Sequence, residues 1–291
     1  MALKNSSKAQ PIGVIGVGSF GTAIANMLAE KNEVMVYARK QEVVEEINTQ
    51  HSASGKILNP KIRATFSPEE LCNSCGILFF MIPSAAFLEV TRTFAPFLHP
   101  YHLVIHGTKG LAVQLGEEEQ WDTLKKLRRN QILTMSEVIV KETLAVRVGC
   151  LAGPNISTEL SDGQPAATVI ASKYNEVIQE GQRLLRSEKF QVYGNSDIIG
   201  VELSGVLKNI IAIAAGALAG LGLGENAKGL LISRGIVEMA HLSKALGGTA
   251  SSVMGLAGIG DLVTTCNSPD SRNFTVGFRL AKGESLSQIM A

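Results

Sequence analysis

Ile12-Gly13-Val14-Ile15-Gly16-Val17-Gly18-Ser19-Phe20-Gly21 sets a short apolar run directly before a G-x-G-x-x-G, with a helical pattern from Ser19 to Glu30 behind it. In that setting each glycine has its own task. Gly16 permits the tight turn, Gly18 lets the backbone approach a pyrophosphate, and Gly21 lets helix and strand pack closely. The phosphates then rest on free backbone N–H groups at the positive end of a helix. The bare pattern also fits an ordinary glycine-rich turn, so its place between strand and helix is what points to a dinucleotide.

Outward from this turn, short apolar runs alternate with helical patterns, the signature of βαβ units on a parallel sheet. Val34 to Tyr37, Ile77 to Ile82, Leu103 to Ile105, Val148 to Ala152 and Ala167 to Ala171 read as strands. Helices are expected around Val43, Val44 and Ile47, and from Glu176 to Ser187. Glu117 to Arg129 reads as another, with Trp121, Leu124 and Leu127 on one face and Lys125, Lys126, Arg128 and Arg129 as its solvated basic end. From Asp197 onward there is no convincing strand, only Ala/Gly/Leu-rich helical patterns. The expected fold is α/β, an N-terminal Rossmann-type parallel sheet followed by a C-terminal all-helical domain. The boundary falls near Gly194 to Ser196, giving residues 1–194 and 195–291.

Composition narrows the class. The chain has 291 residues, 45% hydrophobic and 18% charged, which is ample for a sizeable core. A net charge of +1 argues against nucleic acid or an anionic membrane as the main partner. Cys72, Cys75, Cys150 and Cys266 are too few for a disulfide scaffold, and nothing nearby completes a zinc site around the Cys72–Cys75 pair. No metal is expected. Met1 to Gln10 is polar and lacks the apolar stretch of a signal peptide. The apolar run from Ile210 to Gly224 is shorter than the roughly 20 residues that span a bilayer, and Lys208 and Asn209 precede it. A buried helix and a cytoplasmic protein are expected.

The second strand bears on the choice of dinucleotide. NAD sites place a carboxylate after it to bond the ribose hydroxyls. Here Val36-Tyr37-Ala38-Arg39-Lys40 supplies two cations instead, which suit the 2′-phosphate of NADP(H) or are simply exposed at a helix start.

Four further segments set polar groups among residues otherwise suited to core or loop. His106-Gly107-Thr108-Lys109-Gly110 places Lys109 at the carboxyl end of a strand, where ligands bind in such sheets or where a lysine is merely solvated. His106 reads as a core histidine. Ala152-Gly153-Pro154-Asn155 leads into Ile156 to Leu160 as a second strand-to-helix turn. Leu207-Lys208-Asn209-Ile210-Ile211 buries a lysine in an apolar helix, where desolvation lowers its pKa toward a range useful for proton transfer; a structural ion pair is the alternative. Gly258-Ile259-Gly260-Asp261-Leu262 and Ser271-Arg272-Asn273 add a carboxylate, a guanidinium and an amide in loop-like settings. Arginine suits bidentate recognition of phosphate.

Taken together, the G-x-G-S-x-G turn, T-K-G, G-P, L-K-N-I-I-A-I-A-A-G, G-x-G-D-L and S-R-N resemble the NAD(P)-dependent glycerol-3-phosphate dehydrogenases, particularly the bacterial type, over nearly the whole chain. The resemblance implies interconversion of dihydroxyacetone phosphate and glycerol 3-phosphate, supplying glycerophospholipid synthesis, by a homodimer. It implies Lys208 as catalytic acid/base, with Lys109, Gly153, Asn155, Asp261, Arg272 and Asn273 at the substrate. It also implies Gly16, Gly18, Ser19, Phe20, Gly21, Arg39, Lys109, Ser157 and Arg272 at NADP(H) or NAD(H). Asn155-Ile156-Ser157 departs from the usual Ser/Thr-Phe-Ala, and Phe274-Thr275 from two basic residues. Relatives usually run some tens of residues past the position of Ala291, adding helices and a V-x-E-G-like segment near the cofactor.

Two competing readings remain. The broader β-hydroxyacid dehydrogenases share the layout, but separate the lysine and asparagine by one helical turn, whereas Lys208 and Asn209 are adjacent. A catalytically idle dinucleotide-binding module would have no need of Lys109, Lys208, Asp261 and Arg272 together.

Overall fold

The computed structural model describes residues 10–53, 55–115 and 126–290. The chain opens with β1 (Ile12–Ile15), α1 (Ser19–Ala29), β2 (Val34–Tyr37) and α2 (Gln41–Gln50). A small ribbon, β3 (Ser52–Ala53) with β4 (Lys56–Ile57), precedes β5 (Ile62–Thr65), α3 (Pro68–Ser74), β6 (Ile77–Phe80), α4 (Ser84–Phe94) and β7 (Leu103–His106). β8 (Leu111–Val113) and β9 (Ile132–Thr134) pair antiparallel ahead of α5 (Met135–Glu142). Next come β10 (Arg147–Ala152), α6 (Ser157–Ser161), β11 (Ala166–Ser172), α7 (Asn175–Leu185) and β12 (Phe190–Asn195). Helices follow: α8 (Ile198–Gly220), α9 (Glu225–Ala245), α10 (Ala250–Val253), α11 (Asp261–Asn267), α12 (Arg272–Ala281) and α13 (Leu286–Met290). The elements divide into two compact units, Met1–Thr108 with Ile139–Val148, and Lys109–Val138 with Gly149–Ala291.

In the first unit five strands run parallel in the order β7-β6-β1-β2-β5. The chain leaves β1 for β2 and β5, then returns to β6 on the other side of β1. That reversal opens a crevice at the carboxyl end of β1, where Gly16 begins the glycine turn. Val14, Ile15, Phe79 and Phe80 are fully buried, as their near-continuous apolar runs require of strands covered on both faces. Phe87, Val90, Thr91 and Phe94 form the buried stripe of α4, and the Phe80 ring packs on Phe87 and Phe94.

The second unit departs from an all-parallel sheet. β10 and β11 are antiparallel, because the connection through the short α6 turns the chain back; α7 then carries the parallel step from β11 to β12. β12 lies where the sequence suggested only a change of composition. Phe190 and Val192 are buried while Gln191 and Tyr193 are exposed, a two-residue period hidden among polar neighbours. β5, α4 and the β8–β9 ribbon were likewise unmarked by the sequence pattern. Of the helix expected over Glu117 to Arg129, residues 116–125 lie outside the described residues. Leu127 and Arg128 are not helical, and Arg129 is no solvated helix end: its guanidinium bonds Glu137 (2.8 Å) and the carbonyls of Ile132 and Leu246.

The second unit's core surrounds α8. Ile211, Ala212 and Ala215 pack with Met239, Val253, Leu262 and Cys266 from α9, α10 and α11. α8 is longer than the apolar run alone suggested, and by length and composition it is able to cross a membrane. It carries Glu202 and Lys208, however, and 61% of its apolar window is buried inside the protein, as in a core helix.

Asp197 caps α8. Its carboxylate accepts from Gly200 N, Thr249 N and Oγ1, and Ser252 Oγ at 2.7–2.9 Å, tying the helix start to the α9–α10 turn. Burial alone would raise its pKa, but the bonds from Thr249, Gly200 and Ser252 outweigh burial and hold it below the ordinary carboxylate value. A carboxyl depressed in the folded state contributes stability that is present above its unfolded pKa and lost as pH falls through its folded one. Asp197→Ala is therefore expected to lower Tm at neutral pH, where loss of an N-cap costs about 1–2 kcal/mol. The gap from the parent protein should close at acidic pH, as read by thermal melts across pH; a pH-independent gap would assign the loss to packing.

Candidate active site

In the first unit the glycine turn has the shape a pyrophosphate needs. Gly16 has φ +108°, and a Cβ there would stand 2.5 Å from the Met81 carbonyl oxygen. At Gly21 a Cβ would collide with the carbonyl oxygen of Gly16. At Gly18, the N-cap of α1, a Cβ would meet nothing within 4 Å, so this side of the turn is open to an approaching ligand. The first-turn N–H groups of α1, which directly follow Gly18, have no acceptor within the helix. Phe20 lies against the bare Gly107, where a Cβ would be 2.9 Å from its ring. Gly16 N donates to Tyr37 O at the end of β2, and the exposed Arg39 follows two residues later at the same end of the sheet. N–H donors for a pyrophosphate and a cation beyond β2 together fit a dinucleotide.

The second unit gathers the ionisable groups. Lys208, on α8, is buried, and its Nζ donates to Asp261 Oδ1 at 2.5 Å and to Thr265 Oγ1. Lys109 Nζ donates to the other carboxylate oxygen, Asp261 Oδ2, at 2.5 Å and to the Gly153 carbonyl at 3.4 Å. Two ammonium groups therefore share one carboxylate, leaving one positive charge in excess. Burial and the nearby Lys109 lower the Lys208 pKa to about 8, against the opposing pull of Asp261. That is close enough to neutrality for both protonation states to be usable.

Around this cluster lie the neutral donors and acceptors. Gly153 has φ +151° and turns β10 toward α6. Thr168 donates to Ala152 O at 3.1 Å and accepts from Asn155 Nδ2 at 2.9 Å, which fixes the amide with its carbonyl directed away from Thr168. Ser157 opens α6 and is half-buried. Arg272 and Asn273 are the first two residues of α12, behind the Ser271 cap, rather than in a loop. Asp261 likewise begins α11, directly after a π-helical turn over Leu256–Gly260. Asn273 Nδ2 donates to Asn209 Oδ1 at 2.9 Å, which sets the exposed Arg272 beside the residue following Lys208. A helix N-terminus with an arginine on it suits an anion such as phosphate.

The structure thus brings Lys109, Gly153, Lys208 and Asp261 into direct contact, and joins the L-K-N and S-R-N segments through Asn209 and Asn273. It also adds Thr265, which sequence reasoning missed. Its hydroxyl donates to the Asp261 carbonyl at 2.6 Å, so its oxygen is left to accept from Lys208. The four-residue spacing of Asp261 and Thr265 on one helix face was the available signal. His106 is a core residue, buried edge-to-face against Phe87. Cys72 and Cys75 are free and buried, and burial pushes both thiols up to about 12, far from reactive thiolates.

Two family models cover nearly all of the chain: the N-terminus of NAD-dependent glycerol-3-phosphate dehydrogenase matches residues 11–178, and its C-terminus matches residues 197–291. The chain belongs to this family. A glycerol-3-phosphate dehydrogenase (NAD(P)+) from an Exiguobacterium species is 38% identical, with 96% of this chain aligned to 80% of the relative. The same-named protein of Staphylococcus haemolyticus is 36% identical over 96% of this chain and 82% of its own. Among solved structures, the glycerol-3-phosphate dehydrogenase of Coxiella burnetii superposes with a TM-score of 0.84 at 32% identity, covering 97% of this chain and 83% of that one. Family membership makes the chain an oxidoreductase that works with NAD or NADP.

Proposed function

We propose that the protein reversibly reduces dihydroxyacetone phosphate to sn-glycerol 3-phosphate, with NADP(H) preferred over NAD(H) and Lys208 as general acid/base. The observation that supports it most is the buried Lys208–Asp261–Lys109 cluster, with its single excess positive charge and a lysine able to hold or release a proton near neutral pH. Gly16, Gly18, Ser19, Phe20, Gly21, Arg39 and Ser157 would hold the dinucleotide, which when bound would supply the hydride. As negative charge grows on the ketone oxygen, the Lys208 ammonium stabilises it and gives up a proton. Asp261 holds the ammonium in place, and Thr265 fixes its direction. Lys109, Gly153 and Asn155 orient the substrate. Arg272 and Asn273 hold its phosphate, whose binding energy orients the carbonyl. In the reverse direction neutral Lys208 takes the alcohol proton.

On this reading residues 1–194 bind the cofactor and lend Lys109, Gly153 and Asn155 to the substrate, while residues 195–291 carry Lys208, Asp261, Arg272 and Asn273. The protein works in the cytoplasm as a homodimer and feeds glycerophospholipid synthesis. The test is nicotinamide absorbance with dihydroxyacetone phosphate against 3-hydroxyisobutyrate as the product-side alternative. Preference for the carboxylate would overturn the substrate assignment. For the cofactor, Arg39→Asp is expected to move the NADPH/NADH ratio of kcat/KM toward NADH by roughly tenfold or more, since one charge-assisted bond to phosphate is worth about 1.5–3 kcal/mol. An unchanged ratio would remove Arg39 from the 2′-phosphate.

A further inference from the structure

The Lys109 ammonium meets Asp261 beside Lys208, yet Lys109 stands on the turn after β7, and something must hold that turn to α8. Two features of α8 do so. Gly205 leaves a bare strip along which the Lys109 stem lies, with Cγ, Cδ and Cε at 3.4–3.7 Å from where a Cβ would be. Three residues before it, the buried Glu202 accepts from Ser136 N at 3.0 Å. Ser136 is the second residue of α5, immediately beyond β9. Leu111 of β8 pairs with Thr134 of β9 as the last pair of the ribbon, so Ser136 follows the ribbon by two residues at the end that Lys109 precedes by two. Glu202 therefore grips the ribbon at the end from which Lys109 emerges. The grip is polar and sheltered: the Ser136 N–H belongs to the first turn of α5, where the helix supplies no acceptor of its own, and a carboxylate there suits the helix dipole. Glu137 completes the join, accepting from Thr134 N at 2.9 Å and from Arg129.

We propose that Glu202 is a positioning residue, which through Ser136 and the β8–β9 ribbon sets where the Lys109 ammonium meets Asp261 and Lys208. It touches no reacting atom. Its consequence for catalysis rests on the reading of Lys208 as acid/base; its consequence for the lysine pair does not. If the ribbon slackens, Lys109 recedes from Lys208. The repulsion that lowers the Lys208 pKa weakens, and Asp261 is left to Lys208 alone. Both changes favour the charged form, so the Lys208 pKa rises from about 8 toward the ordinary lysine value. Among the described residues Cys266 on α11 also faces Lys208, and its buried thiol, raised to about 11, stays neutral through this range.

The test compares Glu202→Met, which keeps the volume and loses the acceptor, with Glu202→Gln, which keeps an acceptor for Ser136 N. Two readouts are taken on the full chain: the pH profile of kcat/KM, and the 13Cε titration of Lys208 in lysine-labelled protein, assigned with Lys208→Arg. Glu202→Met is expected to move both titrations upward and to lower kcat/KM about tenfold or more, the scale on which ångström displacements of positioned groups act. Glu202→Gln should restore the parent values. Should Glu202→Met fail to fold, Ser136→Pro removes the donor instead, in the first helical turn where proline is tolerated. A folded Glu202→Met or Ser136→Pro protein with an unmoved Lys208 titration would overturn the proposal. A Lys208 titration that moves as expected, in a protein without turnover of dihydroxyacetone phosphate, would uphold the positioning role and refute the substrate reading.

Discussion

Lys208→Ala is expected to lower turnover of dihydroxyacetone phosphate by roughly 100- to 10,000-fold, the range over which a positioned proton donor contributes, while NADPH still binds at the glycine turn. Lys208 is the one ammonium of the cluster that is itself buried, and burial is the largest cause of its lowered pKa, followed by Lys109. On the proposed acid/base role, reduction uses the charged form, so kcat/KM in that direction should fall as pH rises through about 8. Oxidation needs the neutral form and should rise through the same pH. In the variant both limbs should vanish. The same shift carries a stability prediction of opposite sense. A lysine whose folded pKa lies below its unfolded value binds fewer protons when folded, so its charge opposes folding at neutral pH, and the penalty fades as pH rises from about 8 toward the unfolded lysine value. Lys208→Met should therefore keep or raise Tm at pH 7 while activity is lost. Activity retained by either variant would remove the lysine from the chemistry.

Gly277→Ala is expected to be the most damaging single methyl in the helical unit. Its Cβ would fall inside van der Waals contact with the Ile213 carbonyl oxygen and 2.9 Å from Ala217 N, both backbone of α8. Gly216 answers from the other helix, where a Cβ would collide with the Phe274 carbonyl of α12. Backbone cannot swing aside as a side chain can, so the two helices must separate. Overpacking of this kind costs about 1–3 kcal/mol and occasionally more. At about 2–4 °C per kcal/mol, Tm should fall by roughly 2–12 °C. The crossing also sets α12 against α8 where Asn273 bonds Asn209. KM for the phosphate substrate should therefore rise even in protein that remains folded. Gly229→Ala, in a helix where a Cβ meets nothing within 4 Å, is the control and should be neutral or stabilising. Equal melting of the two variants would show that the α8–α12 crossing has slack.

The contrast between these glycines shows what local pattern was able to carry. β1, β2 and α1 were legible because each obeys a rule that acts within a few residues: an apolar run for a strand buried on both faces, a three-to-four-residue period for a helix, and glycine where φ is positive. β12 and β5 were not, since each is half exposed and their polar positions read as loop. Gly216 and Gly277 are points of backbone contact between α8 and α12, which no local pattern marks.

The candidate site divides along the same line. Lys208 declared itself through the cost of a lysine in an apolar helix, and Lys109, Asp261 and Arg272 through their motifs. That both lysines share one carboxylate, that Thr265 completes the set, and that Asn209 reaches Asn273 are facts of separation: the partners lie 53, 57, 64 and 152 residues apart. By itself the sequence determined the dinucleotide turn, the α/β class and which charged residues sit where charge is expensive. Only the tertiary structure decided their partners, and so the Lys208 pKa, because Coulomb energy and desolvation depend on distances of a few ångströms that no local periodicity encodes.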